Sequence, residues 1–252
     1  MQGRYARTNE LKLKKPAYTE QGLIIKKSAY ILLIALTLCS QVAASGVSTC
    51  YGETKNGKLE DAEKLPGSGK NFISYSHIAG LVGRTFVHSQ VKDIILAAYK
   101  NLESTMPGKV YKYAETGYKK GGEFKPHKTH QNGLSVDFMV PVVNIKGESV
   151  HLSTTPLNKF GYSIEFSSDG KLDGLSIDYL ALAAHLTELH KAAEAIGLDL
   201  WRVIFDPKLQ EQLLKTKFGT YLRSNIQFSK KRSWVRHDEH YHVDFKIPCK
   251  KL

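Results

Sequence analysis

Apolar positions along the chain follow two periods, and each marks a kind of element. In "SQVKDIILAAYKNLES", residues 89–104, Val91, Ile94, Ile95, Ala98 and Leu102 recur at helical spacing, with Ser89 placed to cap the first turn. "SIDYLALAAHLTELHKAAEAI", residues 176–196, carries the strongest helical pattern, opened by Ser176 and closed by Gly197. "PKLQEQLLKT", residues 207–216, is a third helix with Pro207 in its first turn. Alternation predicts strands in "GKVYKYAETG" (108–117), in "LSVDFMVPVV" from Leu134, in "WRVIFD" (201–206) and in "HYHVDFKI" (240–247). Residues 46–75, rich in Gly, Lys and Ser, read as an extended arm; 118–133 read as a loop, and 147–175 as an irregular hairpin region turning at "SSDGKLDG". This order predicts an α+β fold, a small central antiparallel sheet flanked by helices.

One apolar stretch fits neither period. "KKSAYILLIALTLCSQVAAS" has Lys26 and Lys27 ahead of a ten-residue run, Ala29 to Leu38, and small residues from Val42 to Ser45. That is the pattern of a secretory signal cleaved after Ala44 or Ser45. The run is shorter than the roughly 20 residues of a spanning helix; left uncleaved, residues 28–44 would anchor the chain in the inner membrane, facing the periplasm. Residues 1–45 are thus read as an N-terminal extension and signal peptide, and 46–252 as one periplasmic domain. The leader alters the charge. Residues 1–44 hold seven Lys or Arg and two Asp or Glu, so the remainder carries +7 of the net +12. With no long Lys/Arg run and no nucleic-acid motif, an anionic envelope polymer is a better partner than DNA or RNA. Of three cysteines, Cys39 lies in the leader, and Cys50 and Cys249 stand at the two ends of the remainder. In an oxidising compartment they are expected to form a disulfide.

The chemistry gathers in "VRHDEHYHVDF", residues 235–245, which packs His237, His240 and His242 into six positions. On a strand, His240 and His242 point the same way and Tyr241 the other. Two adjacent imidazoles are poor apolar filler and repel when charged; zinc, which takes neutral imidazole nitrogen, removes the conflict. A second cluster, "HKTHQNGLSVDF", offers His127, His130 and Asp137, with Gly133 at the turn. His130, Asp137 and one histidine of the HYH pair make a three-ligand catalytic zinc set with one position open, and the other histidine is left as a general base.

His130, six residues, Asp137, and far downstream His240-x-His242: this pattern resembles the zinc peptidases that group lysostaphin-like enzymes, D-Ala-D-Ala metallopeptidases and hedgehog-type domains. "GGEFKPHKTHQNGLSVDF", "VIFDPKLQEQLL" and "KKRSWVRHDEHYHVDFKIPC" look like blocks of one branch, the penicillin-insensitive murein endopeptidases. The resemblance runs over roughly 47–250. It implies a zinc endopeptidase hydrolysing peptide cross-links of peptidoglycan, with His130, Asp137 and His242 as zinc ligands and His240 as the base. His237 is expected to be a cationic partner of the oxyanion, and His127 to orient substrate or bind a second metal. It implies no serine acyl-enzyme and no inhibition by β-lactams. The runner-up readings are a carboxypeptidase trimming terminal D-alanine and a non-catalytic, zinc-stabilised wall-binding or partner-binding domain. An anchored form could serve envelope-spanning machinery.

The remaining histidines invite plainer readings. His185 and His190, five apart on the long helix, do not share one face squarely and read as surface or partly packed. His77, His88 and His151 stand alone. Asp244 shares the face of His242, as an outer partner of a ligand or as half of a salt bridge. Trp234 and Tyr241 read as cleft walls or core, and the lysines of 119–128 as solvated or attractive to an anionic glycan.

Overall fold

The computed structural model describes residues 46–230 and 235–252; the expected leader and Trp234 lie outside the described residues. In chain order the elements are β1 (Thr49–Glu53), β2 (Asn56–Glu60), β3 (Glu63–Lys64), β4 (Phe72–Ser74), α1 (His77–Leu81), β5 (Phe86–Val87), α2 (Ser89–Thr105) and β6 (Tyr111–Tyr113). There follow β7 (Ser135–Met139), β8 (Val142–Asn144), β9 (Ser149–Val150), a 3-10 turn (Pro156–Gly161), β10 (Lys171–Leu172), β11 (Leu175–Ile177) and α3 (Tyr179–Glu194). The described residues close with β12 (Asp199–Ile204), α4 (Pro207–Leu214), α5 (Gly219–Asn225) and β13 (His240–Lys246).

The predicted α+β architecture holds. The central sheet has the order β12-β13-β7-β6-β4, antiparallel except for the parallel pair β4 and β6. β13 lies inside it, flanked by β12 and β7. Its alternate residues therefore face two different environments. Tyr241, Val243 and Phe245, all nearly inaccessible, enter the core. There α3 covers the sheet: His185 packs edge-on against Phe138 and bonds the Tyr241 hydroxyl, and it stacks on Tyr99 of α2. Residues 181–190 of α3 are all buried, as in a helix enclosed on every side. Fully burying each aliphatic or Phe side chain contributes roughly 1.5–3 kcal/mol.

Several local expectations change. The 46–75 segment is not a free arm. β1 and β2 form a hairpin, β3 pairs with β5, and β4 joins the central sheet beside β6. The long helix starts at Tyr179 rather than 176, because Asp178 accepts from the Ala181 N–H as its cap while Leu175–Ile177 pair with β8. α2 is capped by His88, not Ser89: the His88 Nδ1 accepts from the Gln90 N–H. His185 and His190 are buried, not superficial; each ring bonds a tyrosine hydroxyl, on Tyr241 and Tyr221 respectively.

The expected disulfide joins Cys50 and Cys249, whose Cα atoms lie 4.8 Å apart. Backbone bonds flank it, from Gly52 N–H to Lys250 O and from Lys250 N–H to Cys50 O. Closing so long a loop stabilises by roughly 4–5 kcal/mol in the chain-entropy account.

Candidate metal centre

Register builds the site. His242 on β13 stands directly opposite Asp137 on β7, and facing partners in an antiparallel pair project to the same side. His240, two residues earlier, shares that side. His130 arrives from the 118–133 loop, where it takes a positive φ of 68°, uncommon for a residue with a side chain. Gly133 closes the loop at φ 77°, and a Cβ there would come within 2.8 Å of the His88 nitrogen. Only glycine lets this loop approach α2 so closely.

The ring orientations follow from hydrogen-bond chemistry. The Nδ1 of His130 lies 3.0 Å from the Thr116 carbonyl, which can only accept, so Nδ1–H donates there and Nε2 is the atom left to face Asp137. That Nε2 is buried without a hydrogen-bond partner and lies 3.3 Å from Oδ1 of Asp137. A ring nitrogen and a carboxylate oxygen this close in a dry site need a proton or a cation between them. His242 reaches the same Oδ1 with Nδ1 at 2.8 Å, while its Nε2 meets Asp244 Oδ1 at 2.8 Å. Asp244 is itself fixed by the Ser135 hydroxyl at 2.6 Å and by two nitrogens of Arg202. Asp244 is thus both things expected of it, a salt-bridge member and the carboxylate that orients His242.

The other oxygen of Asp137 has its own neighbours. Tyr162 donates to Oδ2 at 2.9 Å, His127 Nδ1 lies at 3.8 Å and His240 Nε2 at 3.9 Å. His127, His130 and Asp137 place ligand atoms within 4.8 Å of one another, a group able to hold a metal ion. Nitrogen and carboxylate donors suit zinc and its first-row neighbours. The resemblance implies His242 where this grouping has His127. Both flank the one carboxylate, on its two oxygens.

Two further histidines complete the wall. His240 directs Nδ1 at Oε1 of Glu239, 2.7 Å away. His237 donates Nδ1–H to the Val235 carbonyl, and its ring lies 4.5 Å from that of His240. Burial lowers His127 and His237 to about 3 and His240 to about 4, and raises Glu239 to about 8. For His242, burial is outweighed by Asp244 and Asp137, which raise it to about 10. For Asp137, burial is outweighed by His130 and His240, which hold its carboxyl well below the usual range.

The six residues expected to act in the site meet here: His127, His130, Asp137, His237, His240 and His242. His77 and His151 are exposed elsewhere. Tyr241 is core rather than cleft. Glu239, Tyr162, Thr116 and Arg202 were not singled out. Glu239 had a signal, an acid adjacent to a base candidate. Tyr162 had none, since it follows a turn whose Lys159 and Phe160 both have positive φ.

A model of a known family matches residues 50–251 and is described as penicillin-insensitive murein endopeptidase. The chain belongs to this family. It is therefore a hydrolase acting on murein, with peptidoglycan as its substrate class. A search of curated proteins finds no match. A cell-wall substrate points to an exported protein, and the disulfide agrees with an oxidising compartment. Among the described residues, no helix is long and apolar enough to cross a membrane.

Proposed function

We propose that this murein endopeptidase is zinc-dependent and hydrolyses peptide cross-links, with His130, Asp137 and His242 as ligands and His240 as general base. One observation carries the reading: the unpartnered Nε2 of His130 faces the same Asp137 oxygen that His242 approaches. Bound there, zinc supplies Lewis acidity and a nucleophile at neutral pH. The chain's own groups do the rest. Asp244 accepts a hydrogen bond from Nε2–H of His242 and so leaves Nδ1 as the atom that would ligate the metal, the outer-partner role that fixes tautomer and ring angle. Glu239 in its ionised form accepts from His240 Nδ1–H and so leaves Nε2 as the acceptor facing the Asp137 oxygens, where an attacking water can hand over its proton and a leaving amine can receive it.

His237 fits its expected oxyanion role poorly. Burial holds it neutral, and its only N–H is committed to Val235, so it presents an acceptor. Tyr162 stays protonated through burial and gives its one O–H to Asp137 Oδ2, which fixes that carboxylate. His127 remains able to orient substrate or hold a second metal. The leader at 1–45 belongs to the same reading: cleaved, it frees 46–252 in the periplasm; uncleaved, 28–44 hold the enzyme at the inner membrane.

The test is digestion of purified murein, followed by mass spectrometry, with chelator and with zinc restored. Cross-linked dimers should fall to monomers, stop falling in chelator with the fold intact by circular dichroism, and fall again with zinc. Loss of terminal alanine alone would make the chain a carboxypeptidase. Persistent dimers with metal bound would end the catalytic reading.

A further inference from the structure

Beyond the metal centre, on the His242 side, lies a groove of about 520 Å³ lined by Thr54, Lys55, Asn132, Trp201, Lys246 and Ile247, among others. A volume of this size suits a small ligand. Trp201 sits on β12 at a register shift between Leu200 and Arg202. It is 46% exposed, a large apolar surface left in water. One face of its ring is taken by the Arg202 guanidinium, 4.6 Å from the centroid. That guanidinium also bonds Asp244, which holds His242. The indole is therefore a backed platform, tied through two side chains to the site. Asn132, 1% exposed, also lines the groove, with Thr54 and the charged ends of Lys55 and Lys246. An exposed aromatic face with hydrogen-bonding side chains beside it matches a sugar, whose apolar ring face stacks on the indole while its hydroxyl and acetamido groups meet the polar rim.

We propose that this groove is a saccharide subsite that binds an N-acetylated sugar of the murein glycan beside the cross-link being cut. The proposal rests on the endopeptidase reading for its choice of glycan. Murein joins its sugars to its cross-links by short peptides, and the spacing agrees. Lys246 lies four residues beyond His242 along β13, about 13 Å at strand rise. Three to four extended peptide residues reach about 10–14 Å.

Two measurements on the full chain test it. The first uses the Trp234→Phe variant, which leaves Trp201 as the sole tryptophan of the two. Titration with an N-acetylglucosamine trimer should shift the Trp201 emission saturably, and maltotriose should not. The second compares hydrolysis of cross-linked dimers that keep their sugars with the same peptides freed of sugar. Trp201→Ala should reduce the preference for the sugar-bearing dimer on the order of tenfold, mainly through KM, and Trp201→Phe should restore much of it. No emission shift, an equal shift with maltotriose, or a preference that Trp201→Ala leaves intact would overturn the subsite. A saturable shift in a protein that cuts no murein would retire the endopeptidase reading and leave the subsite standing. Hydrolysis without any shift would do the reverse.

Discussion

His240, His242 and Asp244 point to one side of β13, and Tyr241, Val243 and Phe245 to the other. On the first side, each side chain bonds particular partners: Glu239 for His240, Asp137 and Asp244 for His242, Arg202 and Ser135 for Asp244. On the second, most of the stabilisation is non-directional burial, with one polar contact between Tyr241 and His185. Burial is tolerant because any hydrocarbon of the right size satisfies it. A buried polar cluster is not, since removing one partner strands another. The site face should therefore lose function when altered and the core face should lose stability.

The largest effect expected is from Asp137→Asn, which removes the charge on which four histidines converge. Murein hydrolysis should fall about 10³-fold or more while circular dichroism keeps the folded signature. Phe245→Ala should do the opposite, costing about 3–5 kcal/mol by urea denaturation and leaving the folded fraction active. If Phe245→Ala killed activity without destabilising, the two faces would not be separable. Glu239→Gln keeps the shape but not the acid. It should lower kcat by about 10–100-fold, as outer partners do, and move the pH–rate profile; a silent variant would remove Glu239 from the machinery.

The smallest effect belongs to the exception on the core face. Burial lowers His185 to about 3, against its ordinary value near 6.5. Below pH 6.5 the unfolded chain takes up a proton that the folded one refuses, so stability falls as pH drops toward 3, by about 1.4 kcal/mol per unit. His185→Gln should lose this part of the slope in urea midpoints compared between pH 7 and 5. An unchanged slope would mean that His185 is not held neutral.

Much of the site was legible because strand alternation and two histidine-rich clusters are local signals. "HYHVDF" announces its faces, and Gly133 announces a turn before Asp137. What pairs across the sheet is not local. Nothing near residue 137 says that it opposes 242 rather than 240, and that register assigns the shared carboxylate. Asp238 and Glu239 look like interruptions of a histidine run, yet the Glu239 side chain bends back onto His240. The helix boundary at Asp178 was missed because Ser176 is also a good cap, and only pairing with β8 takes it away. His185 was misread because a lone helical histidine carries no sign of a tyrosine 56 positions downstream.

The interior place of β13 also sets an order in time. Asp137 and His242 are 105 residues apart, so β7 and β12 are made before the strand that belongs between them. At about 5–20 residues per second, that interval of synthesis lasts about 5–20 s. Throughout it the chain has His130 and Asp137 but neither His240 nor His242. On the proposed ligand set, a half-made chain carries part of the site and none of its closing strand, so the site would be completed in one late step.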